Sequence, residues 1–419
     1  MINENKDTLW SIMAVTYIIC NITFCAGNLV MLNSLSMYIF LGVSAAHILH
    51  RRYLHTRSLF GIISLLAFGI MLAISMLYAP YTDYSKSFAN STLYDYVTMI
   101  IILFCFTQYM SETKKIRLVW TAYFIGGVTL SLYVFSMYGA NFWSILRANA
   151  AANSNNIARI GTGFVNTNTI GIYASISFCL GIYSAFFDKK NNRLWLKIVA
   201  IAAASICFVM AMASGSKKSF VIMLAFFVAM FWYKQLASGR VFRGFKYIIA
   251  MVAMIALLVL LIQKLPVFSG IATRMENFFN FLKLGEGSAS DVERSSFISQ
   301  GIKYWISSPV WGNGLGSSVY YMGMYAHNNF IEILMSVGLL GFVLFYRPII
   351  ASIVAYIKNK IIVRVEKTEM VLGFSLLIMS FVCGVAAVYY FDRYWMILIF
   401  STIMMARNRR ENEDYVYEE

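Results

Sequence analysis

Long apolar runs separated by short polar segments make up most of this chain. Twelve runs occur, at about 8–27, 29–49, 59–79, 93–110, 118–138, 166–187, 194–213, 220–232, 247–265, 328–346, 369–391 and 393–406. A helix needs about 20 apolar residues to cross the hydrocarbon of a bilayer. Only helices or closed barrels satisfy their backbone hydrogen bonds in lipid, and these runs are too continuous for barrel strands. The pattern predicts an all-α polytopic membrane protein with about twelve transmembrane helices, forming one integral membrane domain over residues 1–419. The tenth run is expected to continue as a helix through Arg347 and Pro348.

Composition and charge agree with this architecture. The chain is 60% hydrophobic and 13% charged, with a mean hydropathy of +0.68. An N-terminus in the cytoplasm would place most of the 34 Lys and Arg residues on the cytoplasmic side, as the positive-inside rule requires. We therefore expect both termini in the cytoplasm, with a disordered acidic tail over 407–419. Because the basic residues are dispersed between the runs, the net charge of +15 does not indicate nucleic-acid binding.

Two extracytoplasmic segments are longer than ordinary connections. Residues 139–165 are rich in Asn, Ala and Gly, and we expect an irregular loop there. Residues 266–327 form a segment of about sixty residues, and apolar spacing predicts short amphipathic helices over 271–283 and 297–306. Pro309 should end the second of these helices, and the glycines that follow predict a tight turn that exposes its backbone.

Several residues on this predicted outer face are chemically suggestive as a set. His327 stands where the long loop enters a span, and an imidazole can act as a general base because it titrates near neutral pH. Four basic residues are expected on the same face: Arg294, Arg159, Lys217 and Lys218. Taken singly, each has an ordinary interpretation as a hydrogen-bonded histidine, a surface charge or a contact to lipid headgroups. Together they match the needs of a diphosphate-linked donor, whose leaving group requires cations while a base deprotonates the incoming hydroxyl.

Supporting positions surround His327 in the sequence. Asn328 is placed to cap the following helix, and Glu332 is an ionisable group within an apolar run, which marks a functional candidate. Gly312 and Gly314 belong to the predicted turn. Metal-binding, Walker and dinucleotide motifs are absent from the sequence, and we expect no metal and no cofactor.

Four features of the sequence occur in a fixed order. The first is an Arg-led loop running into a span with a central Asn (159–168), and the second is a small-residue turn with a basic residue (216–217). The third is an Arg followed by a helix, Pro and a Gly-x-Gly-x-Gly turn (294–316), and the last is His-Asn followed by an aromatic residue and Gly-x-x-Gly (327–341). In these features the sequence resembles the O-antigen polymerase and ligase superfamily (Wzy- and WaaL-type proteins). The family carries Arg where this chain has Lys217. Lysine keeps the charge but loses the bidentate geometry of a guanidinium.

The resemblance implies a GT-C-like membrane glycosyltransferase with metal-independent, inverting chemistry. A growing glycan would leave undecaprenyl diphosphate and join a sugar hydroxyl of another lipid-linked repeat unit, building O-antigen, capsule or exopolysaccharide. His327 would be the base or the group that orients the acceptor, and Arg294, Lys217 and Arg159 would hold the diphosphate. The site would lie on the extracytoplasmic face of a bacterial inner or plasma membrane. The implied partners are the lipid-linked donor and acceptor, membrane lipid and, as an open case, a chain-length regulator.

Two other functions stay open from the sequence. A ligase of the same architecture would move the glycan to a different acceptor, such as a lipid A core. A transporter of the lipid-linked sugar would place ionisable groups near the bilayer midplane, whereas the candidates here are predicted at the outer face.

Overall fold

The computed structural model describes residues 2–25, 29–56, 59–151, 160–161, 166–188, 193–236, 276–277, 280, 289–362 and 368–407. Within these ranges the chain forms fourteen helices: α1 (Ile2–Thr23), α2 (Val30–Arg51), α3 (Leu59–Ser75), α4 (Asp83–Thr113), α5 (Ile116–Tyr138), α6 (Asn141–Ala151), α7 (Thr167–Phe186), α8 (Leu194–Ala213), α9 (Lys217–Leu236), α10 (Ala289–Ser307), α11 (Ser317–Met322), α12 (Asn329–Ile362), α13 (Thr368–Cys383) and α14 (Arg393–Arg407). The all-α class predicted from the apolar runs is confirmed for this part of the chain.

Seven of the described helices are long and apolar enough to cross a membrane, namely α2, α4, α5, α7, α8, α9 and α12. Two shorter apolar helices, α3 and α13, accompany them. The predicted run at 247–265, most of the helix expected over 271–283 and the tail beyond residue 407 lie outside the described residues. The total of twelve spans stays a prediction, and the polytopic helical character agrees with the expectation.

Two expectations about helix boundaries are wrong. The loop expected at 139–165 contains α6, because Phe142 is buried against Phe135, with 4.8 Å between ring centroids, and the alanines that follow have high helix propensity. The run predicted at 369–391 is helical only to Cys383. Beyond it the backbone leaves the helix to hydrogen-bond with Asn329, which is described below.

The chain divides into two compact units, and the prediction of a single membrane domain stays a prediction. The first unit comprises Met1–Val43, Lys115–Leu284 and Ile357–Met379. In it, α7 packs against α5, α8 and α9. Small residues allow these close approaches, since a Cβ on Gly181 would lie 2.9 Å from the Ala204 Cβ. Small residues at helix contacts are typical of membrane proteins.

The second unit comprises Ser44–Lys114, Gly285–Tyr356 and Ser380–Glu419. Its central helix is α4, which packs against α3, α11 and α14. Tyr96 of α4 is fully buried, and its hydroxyl donates to Leu65 O at 2.7 Å, so the phenol is satisfied inside the helix bundle. This unit contains the segment from Arg294 to His327 on which the sequence concentrates its candidate chemistry.

Helix α12 continues past Pro348, as predicted, but its backbone is interrupted at Gly338, where φ is 62°. The break removes two helical hydrogen bonds, those that Leu339 N and Leu340 N would make to Met335 O and Ser336 O. Both N–H groups instead donate to the turn after α10, Leu339 N to Pro309 O at 2.9 Å and Leu340 N to Val310 O at 3.3 Å.

The same turn also satisfies the two carbonyls that the break leaves open. Asn313 N donates to Met335 O at 2.6 Å, and Gly314 N donates to Ser336 O at 3.0 Å. The turn over 309–314 therefore compensates for the two missing helical hydrogen bonds with four others, of which it accepts two and donates two. Irregular backbone in a spanning helix is tolerated only where protein groups satisfy it in this way.

Candidate functional site

His327 lies in the short segment between α11 and α12, with a backbone φ of 55°. Residues other than glycine rarely adopt this left-handed conformation, and those that do are concentrated at functional sites. The imidazole is half-buried among aromatic rings. Its centroid lies 4.2 Å from the Tyr325 ring and 6.2 Å from the Phe297 ring of α10.

Glu332 fixes the segment that leads to His327. Its carboxylate is fully buried in the first turn of α12, where Oε1 accepts from Ser318 Oγ at 2.6 Å and Oε2 accepts from Ala326 N at 2.8 Å. The sequence indicated an ionisable group beside lipid, but the structure places it inside the protein. Because it binds α11 and the residue before His327 at once, Glu332 holds the backbone on which the imidazole stands.

The two asparagines after His327 have separate tasks. Asn328 Oδ1 accepts from Phe330 N at 2.9 Å and from Ile331 N at 3.2 Å, which confirms the predicted helix cap. Asn329 is fully buried, and its Oδ1 accepts from the backbone N–H groups of Tyr389 and Tyr390 at 2.9 and 3.0 Å. These bonds explain the early end of α13, because they hold the connection to α14 against the start of α12. Sequence reasoning did not single out Asn329.

Arg294 lies on α10, the helix that brings Phe297 to the His327 ring. It stands three residues before Phe297 on α10, so the two side chains share one helix face. Its charge also acts on Tyr325: burial raises the pKa of the Tyr325 hydroxyl, while Arg294 lowers that pKa and Glu332 raises it. Tyr325 thus contacts the imidazole and lies within electrostatic range of the guanidinium. It is a site residue that the sequence analysis missed, although it stands only two positions before His327.

Gly312 and Gly314 support the site through packing. Both have positive φ, at 75° and 93°. A Cβ on Gly312 would lie 2.6 Å from Gly338 N, and one on Gly314 would clash with Ala79. The turn was expected to expose its backbone, and this is wrong for Asn313 and Gly314, because the N–H groups of both residues are bonded to α12.

In the first unit, Lys217 and Lys218 are half-buried at the first two positions of α9. The turn before them is built from serines. Ser216 Oγ donates to Asn168 Oδ1 at 3.2 Å, and Gly171 leaves the space that this turn fills, since a Cβ there would lie 2.5 Å from Ser214 Oγ. Arg159 lies outside the described residues.

The structure therefore brings part of the predicted set together within one unit. His327, Asn328 and Glu332 lie together at the start of α12, and Phe297 of α10, the helix that carries Arg294, packs near the His327 ring. Lys217 and Lys218 belong to the other unit. The predicted convergence of all the cations on His327 stays a prediction. Among the described ranges, no three His, Cys, Asp or Glu side chains are grouped closely enough to hold a metal ion.

The second unit contains another polar cluster, which the sequence did not predict. Arg393 Nη2 lies 3.4 Å from Asp95 Oδ1, and Asp392 accepts from Tyr394 N at 2.8 Å at the start of α14. Burial raises the pKa of the Asp392 carboxyl to about 6, although the Tyr394 and Trp395 N–H groups and the charge of Arg393 lower it. The only sequence signal was a pair of charged residues within otherwise apolar surroundings.

The apolar helices and the residues around His327 define a class of protein. It is a polytopic helical membrane protein in which Arg294, His327 and Glu332 precede or begin an interrupted helix, α12. Residues 202–346 match the family model described as O-antigen ligase. The predicted resemblance to the O-antigen polymerase and ligase superfamily is confirmed over that segment, which carries Lys217, Arg294, His327 and Glu332. The match supports a function of the ligase and polymerase type without separating the two. The chain matches no curated protein and no solved structure.

Proposed function

We propose that this protein is a membrane glycosyltransferase that polymerises a surface polysaccharide such as O-antigen, capsule or exopolysaccharide. It would transfer a growing glycan from undecaprenyl diphosphate to a sugar hydroxyl of another lipid-linked repeat unit. The observation that carries the proposal is the contact of the His327 ring with Tyr325 and with Phe297 of α10, the helix that carries Arg294, inside the segment that matches the O-antigen ligase model.

The residues fit an inverting displacement. The acceptor hydroxyl oxygen attacks the anomeric carbon from the face opposite the diphosphate. A carbon–oxygen bond forms while the bond to the diphosphate oxygen breaks, and the hydroxyl proton passes to the His327 imidazole. Arg294 stabilises the charge that develops on the leaving diphosphate. Lys217, Lys218 and Arg159 are the further diphosphate contacts that this mechanism assigns, and it assigns no metal ion.

The membrane setting is part of the proposal. We place about twelve spans in a GT-C-like arrangement in the bacterial inner or plasma membrane, with both termini in the cytoplasm. The His327 segment then faces the extracytoplasmic side, where a translocated lipid-linked substrate is presented. The dispersed basic clusters between the apolar runs support this orientation.

A ligase is the second candidate, and it is the activity that the description of the matching family model names. Such an enzyme would use the same donor and the same chemistry but deliver the glycan to a different acceptor, such as a lipid A core. Only the acceptor pocket would differ.

The test uses purified full-length protein in lipid nanodiscs with a lipid-linked repeat unit prepared from the source cells. A ladder of longer lipid-linked products from this substrate alone is the expected result. Product that forms only after a second acceptor is added would replace the polymerase with the ligase. Movement of the substrate between leaflets without any change in glycan length would overturn both and indicate a transporter.

A further inference from the structure

The first turns of α4 have the composition of an exposed helix. The helix contains 31 residues and is therefore about 46 Å long, whereas the hydrocarbon of a bilayer is about 30 Å thick. Its first ten residues, DYSKSFANST, hold two charges and five Ser, Thr or Asn side chains. Thr82 caps this end in a capping box with Ser85. We therefore place the excess length at this polar end, beyond the hydrocarbon.

Two aromatic residues interrupt this polar surface on one face. Tyr84 and Phe88 are separated by four positions, which is about 40° around a helix. Tyr84 is 67% exposed. Phe88 is half-buried, and its ring lies parallel to that of Tyr325 with 6.4 Å between centroids. Because Tyr325 contacts His327 in turn, a strip of flat rings runs from the exposed Tyr84 to the imidazole.

A lipid contact does not account for this strip. Ser91, which is exposed, and Asp95, which is half-buried, lie on the same face as Tyr84 and Phe88, within about 60° around the helix axis. A face directed to acyl chains would not carry them. Flat aromatic faces beside hydroxyl and charged groups have the chemistry that a sugar ring requires, since its C–H face is apolar and its rim of hydroxyls needs hydrogen bonds.

We infer that Tyr84, Phe88 and Tyr325 form a saccharide subsite, which guides a sugar of the glycan towards His327. The inference rests on the proposed function, because it takes the substrate to be a lipid-linked saccharide. The exposed Tyr84 contacts a sugar remote from the reacting bond, and Tyr325 contacts one next to it. Arg294 stands three residues before Phe297, whose ring lies 6.2 Å from that of His327, so we place the diphosphate at this end of the strip.

Saturation-transfer NMR on the full-length protein in nanodiscs tests the subsite. The probe is soluble oligosaccharide released by mild acid from the surface polysaccharide of the source cells. We expect Tyr84→Ala to weaken binding about three- to tenfold, which corresponds to one lost aromatic contact. Phe88→Leu should weaken it similarly because bulk is kept and the flat ring is lost, and Tyr84→Phe should bind as the unsubstituted protein does.

Tyr94→Ala is the matched control. Tyr94 lies on the same helix with 66% of its surface exposed, but about 120° around the axis from Phe88. Unchanged binding in Tyr84→Ala, an equal loss in Tyr94→Ala, or no binding by the unsubstituted protein would each overturn the subsite. The transfer assay separates this failure from that of the proposed function. If the Tyr84 and Phe88 substitutions weaken saccharide binding but the protein transfers no glycan, the subsite is supported and the proposed enzymatic function is wrong.

Discussion

Each of the two compact units carries a polar turn with candidate chemistry, and the two turns are built by different means. In the second unit, the turn over 309–314 is joined to α12 by backbone hydrogen bonds, and glycines at 312 and 338 make the approach possible. In the first unit, the turn between α8 and α9 is held by small side chains, with serines packed over Gly171. One turn depends on backbone conformation and the other on side-chain volume.

The difference indicates which substitutions each turn tolerates. Where the backbone itself replaces a missing helical step, any added side chain displaces the helix that carries Glu332 and follows His327. Where serines provide the contact, the lysines after them can change chemistry without changing the fold. Substitutions in the turn over 309–314 should therefore have all-or-none effects. Substitutions of the lysines after the α8–α9 turn should have graded effects that follow charge.

The largest loss of activity should come from removing the candidate catalytic side chains in the unit that contains the turn over 309–314. His327→Ala and Arg294→Ala should each lower chain extension by about a hundredfold or more, since a general base or a charge stabiliser contributes on that scale. Product ladders from purified protein measure this loss, with circular dichroism to establish that each variant folds. Lys303→Ala is the control for Arg294, because Lys303 is exposed about 180° away on the same helix. Near-normal polysaccharide from either test variant would remove that residue from the mechanism.

Gly338→Ala tests the backbone exchange directly. A Cβ there would clash with Val310 O, and the φ of 62° is unfavourable for alanine, so we expect a loss of about 2–4 kcal/mol in stability together with loss of transfer. Thermal unfolding in detergent gives the comparison. Gly42 is the control because a Cβ there meets nothing within 4 Å in the middle of α2, and Gly42→Ala should be neutral or stabilising. If the two variants melt alike, the exchange does not fix α12.

Glu332 should show a smaller, separable effect, because it acts through the segment before His327. Glu332→Ala leaves Ser318 Oγ and Ala326 N without their buried acceptor, which costs about 1–3 kcal/mol for each group. Glu332→Gln keeps one acceptor and should retain more activity. We expect kcat to fall about tenfold or more in Glu332→Ala, with partial recovery in Glu332→Gln. A purely structural role would lower the melting temperature in both variants and leave kcat per folded molecule unchanged.

Local sequence signals predicted much of this structure. Apolar runs located the spanning helices, and Asn328 was correctly expected to cap α12. The prediction that α12 continues through Pro348 was also correct, since the helix passes this proline and ends only at Ile362. Arg294 and His327 were expected together, and the ring of Phe297, three residues after Arg294 on α10, lies 6.2 Å from that of His327. Their joint role in the site stays a prediction.

The features that escaped prediction depend on partners distant in the sequence. Gly338 looked like an ordinary small residue of a span, and its break exists only because a turn about 25 residues earlier satisfies the open backbone groups. The end of α13 at Cys383 depends on Asn329, some 55 residues before it. No window of local hydropathy contains either pair, so neither feature could be derived from the runs alone.

The smallest effects are expected at the turn between α8 and α9, and they should follow the charge of the side chain. Lys217 begins α9, where the helix dipole is positive, so an anion bound there would be stabilised by both the dipole and the side chain. Lys217→Arg keeps the charge and should raise the KM for the lipid-linked donor less than Lys217→Ala, which we expect to raise it about fivefold at low salt. Added salt screens such a contact, so the salt dependence of KM should also weaken in Lys217→Ala. Lys197→Ala, near the opposite end of α8, provides the control. Equal losses in Lys217→Arg and Lys217→Ala would show that the side chain matters for packing, and the two turns would then differ less than their construction suggests.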